Sequence, residues 1–355
     1  MVLRSLVLGA AVALSLVAPA TAQKKFNGVT ITIATFGGPW IDRIKLELAA
    51  PLAAEGITMN FVAGSSAEFL AKLIAARGQP APFDVVEIAD ETYGDFRAGD
   101  FLEKMTAANL PNLKFLDKSM YDEFKVANWA SQPGIVYNVD KFAAAGIAPP
   151  TRYSDLANPA LKGKVLLSDI SGYAAYYQLT GLAFENGGSD KNPDAGFAMM
   201  KKINAHSFST SVATTLQLFN GGDVWAGIVP VHLGIRMFDA GLPLSAVHPT
   251  INGRKGAIAR GYLGVSKGSK QVAAAEYYIN AMIDTGMQER LYTQAATIPV
   301  NQVTMEKVRG SVKLDKAGQP FLLMDPAIVA QMWSPDYSVI DKRDWTRRWQ
   351  RSIAN

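Results

Sequence analysis

The residues that could do chemistry in this chain are its serines, its carboxylates and three histidines; cysteine is absent. Without a thiol there is no cysteine nucleophile, disulfide framework, cysteine-ligated zinc or iron–sulfur cluster. Gly264-Val265-Ser266-Lys267-Gly268 fits G-x-S-x-G, the nucleophile elbow of α/β hydrolases, and it lies between an extended and a helical stretch. In that chemistry the histidine follows the serine in the chain, whereas His206, His232 and His248 all precede Ser266. The segment therefore reads as a turn in which Ser269 caps the next helix. No H-E-x-x-H spacing occurs, and histidines this far apart read as satisfied polar groups rather than metal ligands. Gly163-Lys164 lacks the rest of a phosphate loop, since Asn158 stands where the first glycine belongs and Val165 where a hydroxyl belongs. The basic tail (Lys342, Arg343, Arg347, Arg348, Arg351) reads as a solvated helix face whose Trp345 and Trp349 pack on the body. These readings leave no cofactor and no catalytic or metal residue to assign.

What remains is binding chemistry at the ends of strands. Val29 to Thr35 alternates β-branched and apolar residues as a strand does, and Gly37-Gly38-Pro39 stops it. A helix follows to about Ala54, with Ile41, Ile44, Leu46 and Leu48 expected along its inner face. Thr58 to Val62 is a second strand. Ser65-Ser66-Ala67-Glu68 resembles a capping box opening a helix with Phe69, Leu70, Leu73 and Ile74 inward. Asp84 to Ile88 is a third strand. After Trp129 a second unit repeats the scheme, with a strand at Lys164 to Ser168, a helix from Gly172 and an extended stretch from Gly256 to Val265. Strands alternating with helices imply parallel sheets covered by helices, and ligands then sit beyond the carboxyl ends of the strands. Those ends are Phe36 to Trp40, Gly64-Ser65-Ser66, Ala89-Asp90-Glu91 and Ser168 to Tyr173.

The 355 residues include 35 Lys+Arg against 31 Asp+Glu, a balance too even to argue for a polyanionic partner. At the N-terminus Arg4, the apolar run Leu6 to Val17 and Ala20-Thr21-Ala22 have the order of a cleaved secretory signal, residues 1–22, with a mature start at Gln23. The apolar run is shorter than the roughly 20 residues a spanning helix needs. A lipoprotein signal would need a cysteine at the cleavage point. The expectation is an exported, periplasmic, non-lipoprotein, monomeric protein with no nucleic-acid partner.

Several segments taken in order resemble the extracellular solute-binding proteins of ABC importers, in the branch that holds the spermidine/putrescine binders. They are Ala34-Thr35-Phe36-Gly37-Gly38-Pro39-Trp40, Ala71-Lys72-Leu73, Phe83-Asp84-Val85-Val86, Tyr153-Ser154-Asp155-Leu156 with Pro159 and Leu161 to Val165, Asn220 to Val224, and Ile298-Pro299-Val300-Asn301. The resemblance implies an α/β, two-lobed type II periplasmic-binding-protein fold (a Venus flytrap). Each lobe would be a mainly parallel sheet flanked by helices, with the ligand cleft between lobes. Lobe one would be residues 23–131 plus 255–300 and lobe two residues 132–254 plus 301–355, hinged near Gln132 and Arg254. It also implies capture of a small solute by closure and delivery to the permease subunits, with no reaction catalysed.

The positions where polyamine binders carry acids fall here on Ile170 and Tyr173, with Asp169 one place off, and Val229-Pro230-Val231-His232 replaces an aromatic and acidic pair. Arg260 stands near where the family places a ligand-contacting aromatic, and a guanidinium suits a carboxylate bidentately. The expected ligand is therefore a small organic solute, carboxylate-bearing or zwitterionic. The expected site is Phe36, Gly37, Gly38, Trp40, Ser65, Ser66, Asp90, Trp129, Asp169, Ser171, Gly172, Tyr173, Thr210, Ser211, His232 and Arg260. Arg260 would clamp the anion, and Asp90 or Asp169 would take any amine. A polyamine binder, a ferric-ion binder using Tyr176-Tyr177 and a secreted hydrolase stand as alternatives.

Overall fold

The computed structural model describes residues 24–353. The expected signal, residues 1–22, and Gln23 lie outside the described residues. Among the described residues twelve strands are seen: β1 (Val29–Thr35), β2 (Ile57–Ala63), β3 (Val85–Ala89), β4 (Val126–Ser131), β5 (Pro133–Asn138), β6 (Val165–Leu167), β7 (Ser207–Phe208), β8 (Ala226–Pro230), β9 (Leu244–Val247), β10 (Thr250–Ile251), β11 (Arg254–Lys255) and β12 (Ala259–Val265). They form two five-stranded sheets, β2-β1-β3-β12-β4 and β7-β6-β8-β5-β9, and one small ribbon, β10-β11.

Both sheets are mixed rather than mainly parallel. β1 runs parallel to β2 and β3, but β12 is antiparallel to β3 and β4. In the second sheet β6 is parallel to β7 and β8, and β5 is antiparallel to β8 and β9. A parallel neighbour demands a crossover connection. Strands that arrive from the other sheet escape that demand, and β5 and β12 are such strands. Gln132 alone separates β4 of one sheet from β5 of the other. It is 1% exposed, and its side-chain amide pairs both ways with the backbone of Leu323 (2.7 and 3.0 Å).

The first sheet buries Ile31, Ile33, Val85, Val86 and Leu263 between helices. Helix Pro39–Ala54 packs through Ile44, Leu48 and Leu52, a four-residue repeat. Leu46 is 75% exposed and Ile74 54%, because each lies off its helix's inward stripe. The capping box is formed: Ser65 caps helix Ser66–Ala75 while Glu68 reaches back to the Ser65 N–H at 2.6 Å. Past β12, residues 301–304 stay with the first half, where Asn301 Nδ2 donates to the Ile283 carbonyl and Thr304 Oγ1 to that of Thr285. The tail ends on the second half. Tyr176 stacks on Trp345 at 5.9 Å, and Phe208 meets Trp349 edge-on at 5.0 Å.

Candidate functional site

Where the carboxyl ends of both sheets face one another lies a cavity of about 460 Å³. Its first wall begins with Phe36 at the end of β1 and Trp129 on β4, whose rings meet edge-on at 6.1 Å. Trp129 is held by Glu87, a fully buried acid of β3. One Glu87 oxygen accepts from Trp129 Nε1 (2.7 Å) and Asn128 Nδ2 (2.9 Å), and the other from Trp40 Nε1 (2.9 Å) and the Thr35 hydroxyl. Successive strand residues normally point to opposite faces. A bulge in the β4–β12 pairing, between Gly261 and Tyr262, lets Asn128 and Trp129 reach the same oxygen. The indole then crosses Gly261, where a Cβ would lie 2.1 Å from Trp129 Cε2.

Beyond β3 the chain turns through Asp90-Glu91-Thr92. Ser66, 3% exposed, pins this turn: its hydroxyl takes the Ala89 N–H (3.1 Å) and lies 2.5 Å from that of Thr92. Asp90 and Glu91 both line the cavity. Asp90 accepts from Tyr262 Oη (3.1 Å) and Ser334 Oγ (3.1 Å). Tyr177 Oη is 3.3 Å from Asp90 and 2.8 Å from the Ile258 carbonyl, and its one proton can serve only one of them at a time. Burial, with Asp90 and Asp95 nearby, pushes the Glu91 carboxyl up to about 7.

Arg260 enters from β12, every residue of which is buried. It is 8% exposed and lines the cavity. Among the described residues its side chain forms no hydrogen bond or ion pair, and Nε is buried without a partner. No Lys or second Arg shares the lining. From the second half come Ser171, Gly172 and Tyr173 at the start of helix Tyr173–Glu185, together with Thr210 and His232. Gly172 approaches Thr210 so closely that a Cβ there would meet its methyl at 2.5 Å. Burial and Arg236 push His232 down to about 4, so its ring is neutral near pH 7 and offers hydrogen bonds rather than charge.

Eleven of the sixteen anticipated residues thus meet around one cavity: Phe36, Ser65, Ser66, Asp90, Trp129, Ser171, Gly172, Tyr173, Thr210, His232 and Arg260. The other five stand outside its lining. Gly37 and Gly38 are exposed, Gly38 taking φ 62° to start helix Pro39–Ala54. Trp40 is turned to Glu87. Asp169 closes a local turn, accepting from the Ser171 N–H (2.9 Å) and hydroxyl (2.6 Å). Ser211 caps helix Val212–Gly221. Sequence reasoning passed over Glu91, Ser131 and Thr297 as site residues. Glu91 carried a signal, its place at a strand end beside Asp90.

The hydrolase elbow is closed off. Ser266 is fully buried, and Ser269 bonds Asp84 (2.6 Å) and the Gln271 N–H (3.0 Å). No cluster of three or more His, Cys, Asp or Glu able to hold a metal occurs among the described residues.

Residues 48–313 match the family model of the bacterial extracellular solute-binding proteins. No curated protein sequence matches the chain. Similar solved structures include a GABA receptor at 18% identity and TM-score 0.72, covering 90% of this chain and 96% of that one. Another is the periplasmic binding protein AfuA of Actinobacillus pleuropneumoniae with fructose-6-phosphate bound, at 18% and 0.67, covering 92% and 98%. A third is the spermidine/putrescine substrate-binding protein PotD of Streptococcus pneumoniae, at 15% and 0.71, covering 92% and 98%. At such identities the likeness is one of fold.

Proposed function

The chain belongs to the bacterial extracellular solute-binding proteins, and from that premise we propose that it captures a small carboxylate-bearing solute between its two halves and delivers it to an ABC permease. The observation that carries the reading is Arg260: a residue 8% exposed that lines the cavity, with no acid paired to its guanidinium among the described residues. An unpaired buried charge costs several kcal/mol, roughly, unless something completes it. A carboxylate does so with two parallel hydrogen bonds. Helix Tyr173–Glu185 adds support, since Gly172 lines the cavity at its N-terminus and no side chain caps its first amides. Phe36, Trp129 and Tyr173 cover the solute's carbon skeleton.

Closure is hinge motion about Gln132 and the return segment near Arg254, driven by the solute's stronger binding to the closed form. The described residues include no helix long and apolar enough to cross a membrane. Residues 1–22 would export a monomeric, periplasmic protein free of any lipid anchor. A polyamine is the poorer fit, because its ammonium groups would face Arg260. Ferric binding would need free tyrosines, whereas Tyr177 is hydrogen-bonded and Tyr176 is stacked on Trp345.

A thermal-shift screen of carboxylates and polyamines tests the reading, because a ligand stabilises in proportion to RT ln(1 + [L]/Kd). Carboxylates should raise Tm and spermidine should not. Stabilisation by polyamines alone would overturn the reading.

A further inference from the structure

The two acids at the exit of β3 are in opposite states. Asp90 accepts from the hydroxyls of Tyr262 and Ser334. Glu91 lines the cavity, yet its Oε2 is buried and accepts no hydrogen bond. Buried carboxyl oxygens almost always have a donor, and one left without asks for an explanation. The charged and titratable groups around it do not supply one. On its own segment stand Asp90 and Asp95, both repelling. From helix Lys342–Ser352 of the tail comes Lys342, whose ammonium is engaged by the Glu91 backbone carbonyl and by Asp95 at 2.6 Å. Tyr173 and Tyr176 face it from helix Tyr173–Glu185 and Tyr337 from the tail. The missing partner is a donor, and Glu91 as a residue borders the solute cavity.

We propose that Glu91 is the subsite for an N–H-bearing ammonium of the solute, so that the ligand is an amino acid held between Glu91 and Arg260. The proposal rests on Arg260 clamping the carboxylate. It demands an amine that carries a proton when charged (primary, secondary or tertiary), because a quaternary nitrogen has none to give the orphan oxygen. Asp169, engaged by Ser171 and outside the cavity lining, does not compete for the amine.

A pH signature follows. In the empty protein the Glu91 carboxyl, pushed up to about 7, is largely protonated below neutrality. An ammonium favours the ionised form, so binding releases a proton and affinity rises with pH up through about 7. A plain carboxylate gains nothing from that ionisation.

The experiment is calorimetric titration of the exported protein with α- and ω-amino acids, each beside its desamino carboxylate and its N-trimethyl analogue. At pH 8 at least one amino acid should bind roughly tenfold or more tightly than both analogues, the scale of a charge-assisted hydrogen bond. The preference should shrink at pH 5.5, and Glu91→Gln should abolish both the preference and its pH dependence. The fold of that variant is checked by circular dichroism, and the wild-type pH profile stands as a second test needing no variant. Equal binding of amino acid and desamino partner, or a preference that survives Glu91→Gln, overturns the amine subsite while leaving the Arg260 clamp standing. Failure of every carboxylate, with or without an amine, sinks both.

Discussion

Glu87 and Glu91 lie four residues apart on one strand and its exit, and both carboxyls are pushed up by burial. Their surroundings differ completely. Glu87 receives four donors, from Thr35, Trp40, Asn128 and Trp129. Glu91 keeps one buried oxygen with none. A saturated polar cluster is framework, because each member fixes the others' geometry. An unsaturated buried group carries a desolvation cost that only a further partner relieves. One strand thus holds a fastening point at residue 87 and an open valence at residue 91, and Arg260 is the open valence of opposite sign.

The sharpest way to break this contrast is Glu87→Leu. It orphans four donors at once, and at roughly 1–3 kcal/mol for each unsatisfied group the loss should be at least 3 kcal/mol in urea unfolding. A loss below about 1 kcal/mol would mean the cluster is not framework. Arg260→Leu should behave in the opposite sense. Carboxylate affinity should fall by about 30-fold or more, as when one partner of a buried charge pair is removed. Unfolding free energy of the empty protein should hold steady or rise, since an unpaired charge is replaced by apolar volume. Parallel loss of stability and affinity would make Arg260 a structural residue.

A third test uses pH. The folded pKa of Glu91 lies above its unfolded value, so the folded state holds the extra proton and stability falls as pH rises from about 4.5 to about 7. Wild type should lose on the order of 2 kcal/mol across that window relative to Glu91→Gln, measured by urea unfolding of the empty protein. Identical pH dependence in the two proteins would remove Glu91 from the account. The smallest effect is expected of Trp129→Phe, which deletes one hydrogen bond to Glu87 and keeps most of the ring. About 1 kcal/mol of stability and a severalfold loss of affinity are expected; an unchanged Kd would show that the indole's orientation does not matter to the solute.

Local signals in the chain were enough for β1, for the capping box at Ser65 and for the two tryptophans of the tail, because each depends on residues within a turn or two. The strand-end rule located the loops that line the cavity. It could not rank the acids within them, since Asp90 meets partners at Tyr262 and Ser334, 172 and 244 residues away. The crossing Val-Ala-Asn-Trp-Ala-Ser-Gln-Pro escaped notice as two strands because both faces of β4 and β5 are largely buried, which erases the alternation that reveals a half-exposed strand. Leu46 and Ile74 misled for the converse reason: apolar type was counted without checking that the residue lay on the helical stripe.

The amino-acid sequence by itself determined the α/β alternation, the helix starts, the loops at the strand ends and the absence of thiol chemistry. All of these follow from residue type and short spacing. Only the tertiary structure decided that the sheets are mixed, that Glu87 fastens two indoles, that Asp90 is engaged by hydroxyls and that Arg260 and Glu91 are each left with an unmet partner. Satisfaction of a buried polar group is a sum over everything that surrounds it, and the chain brings those surroundings together from segments far apart.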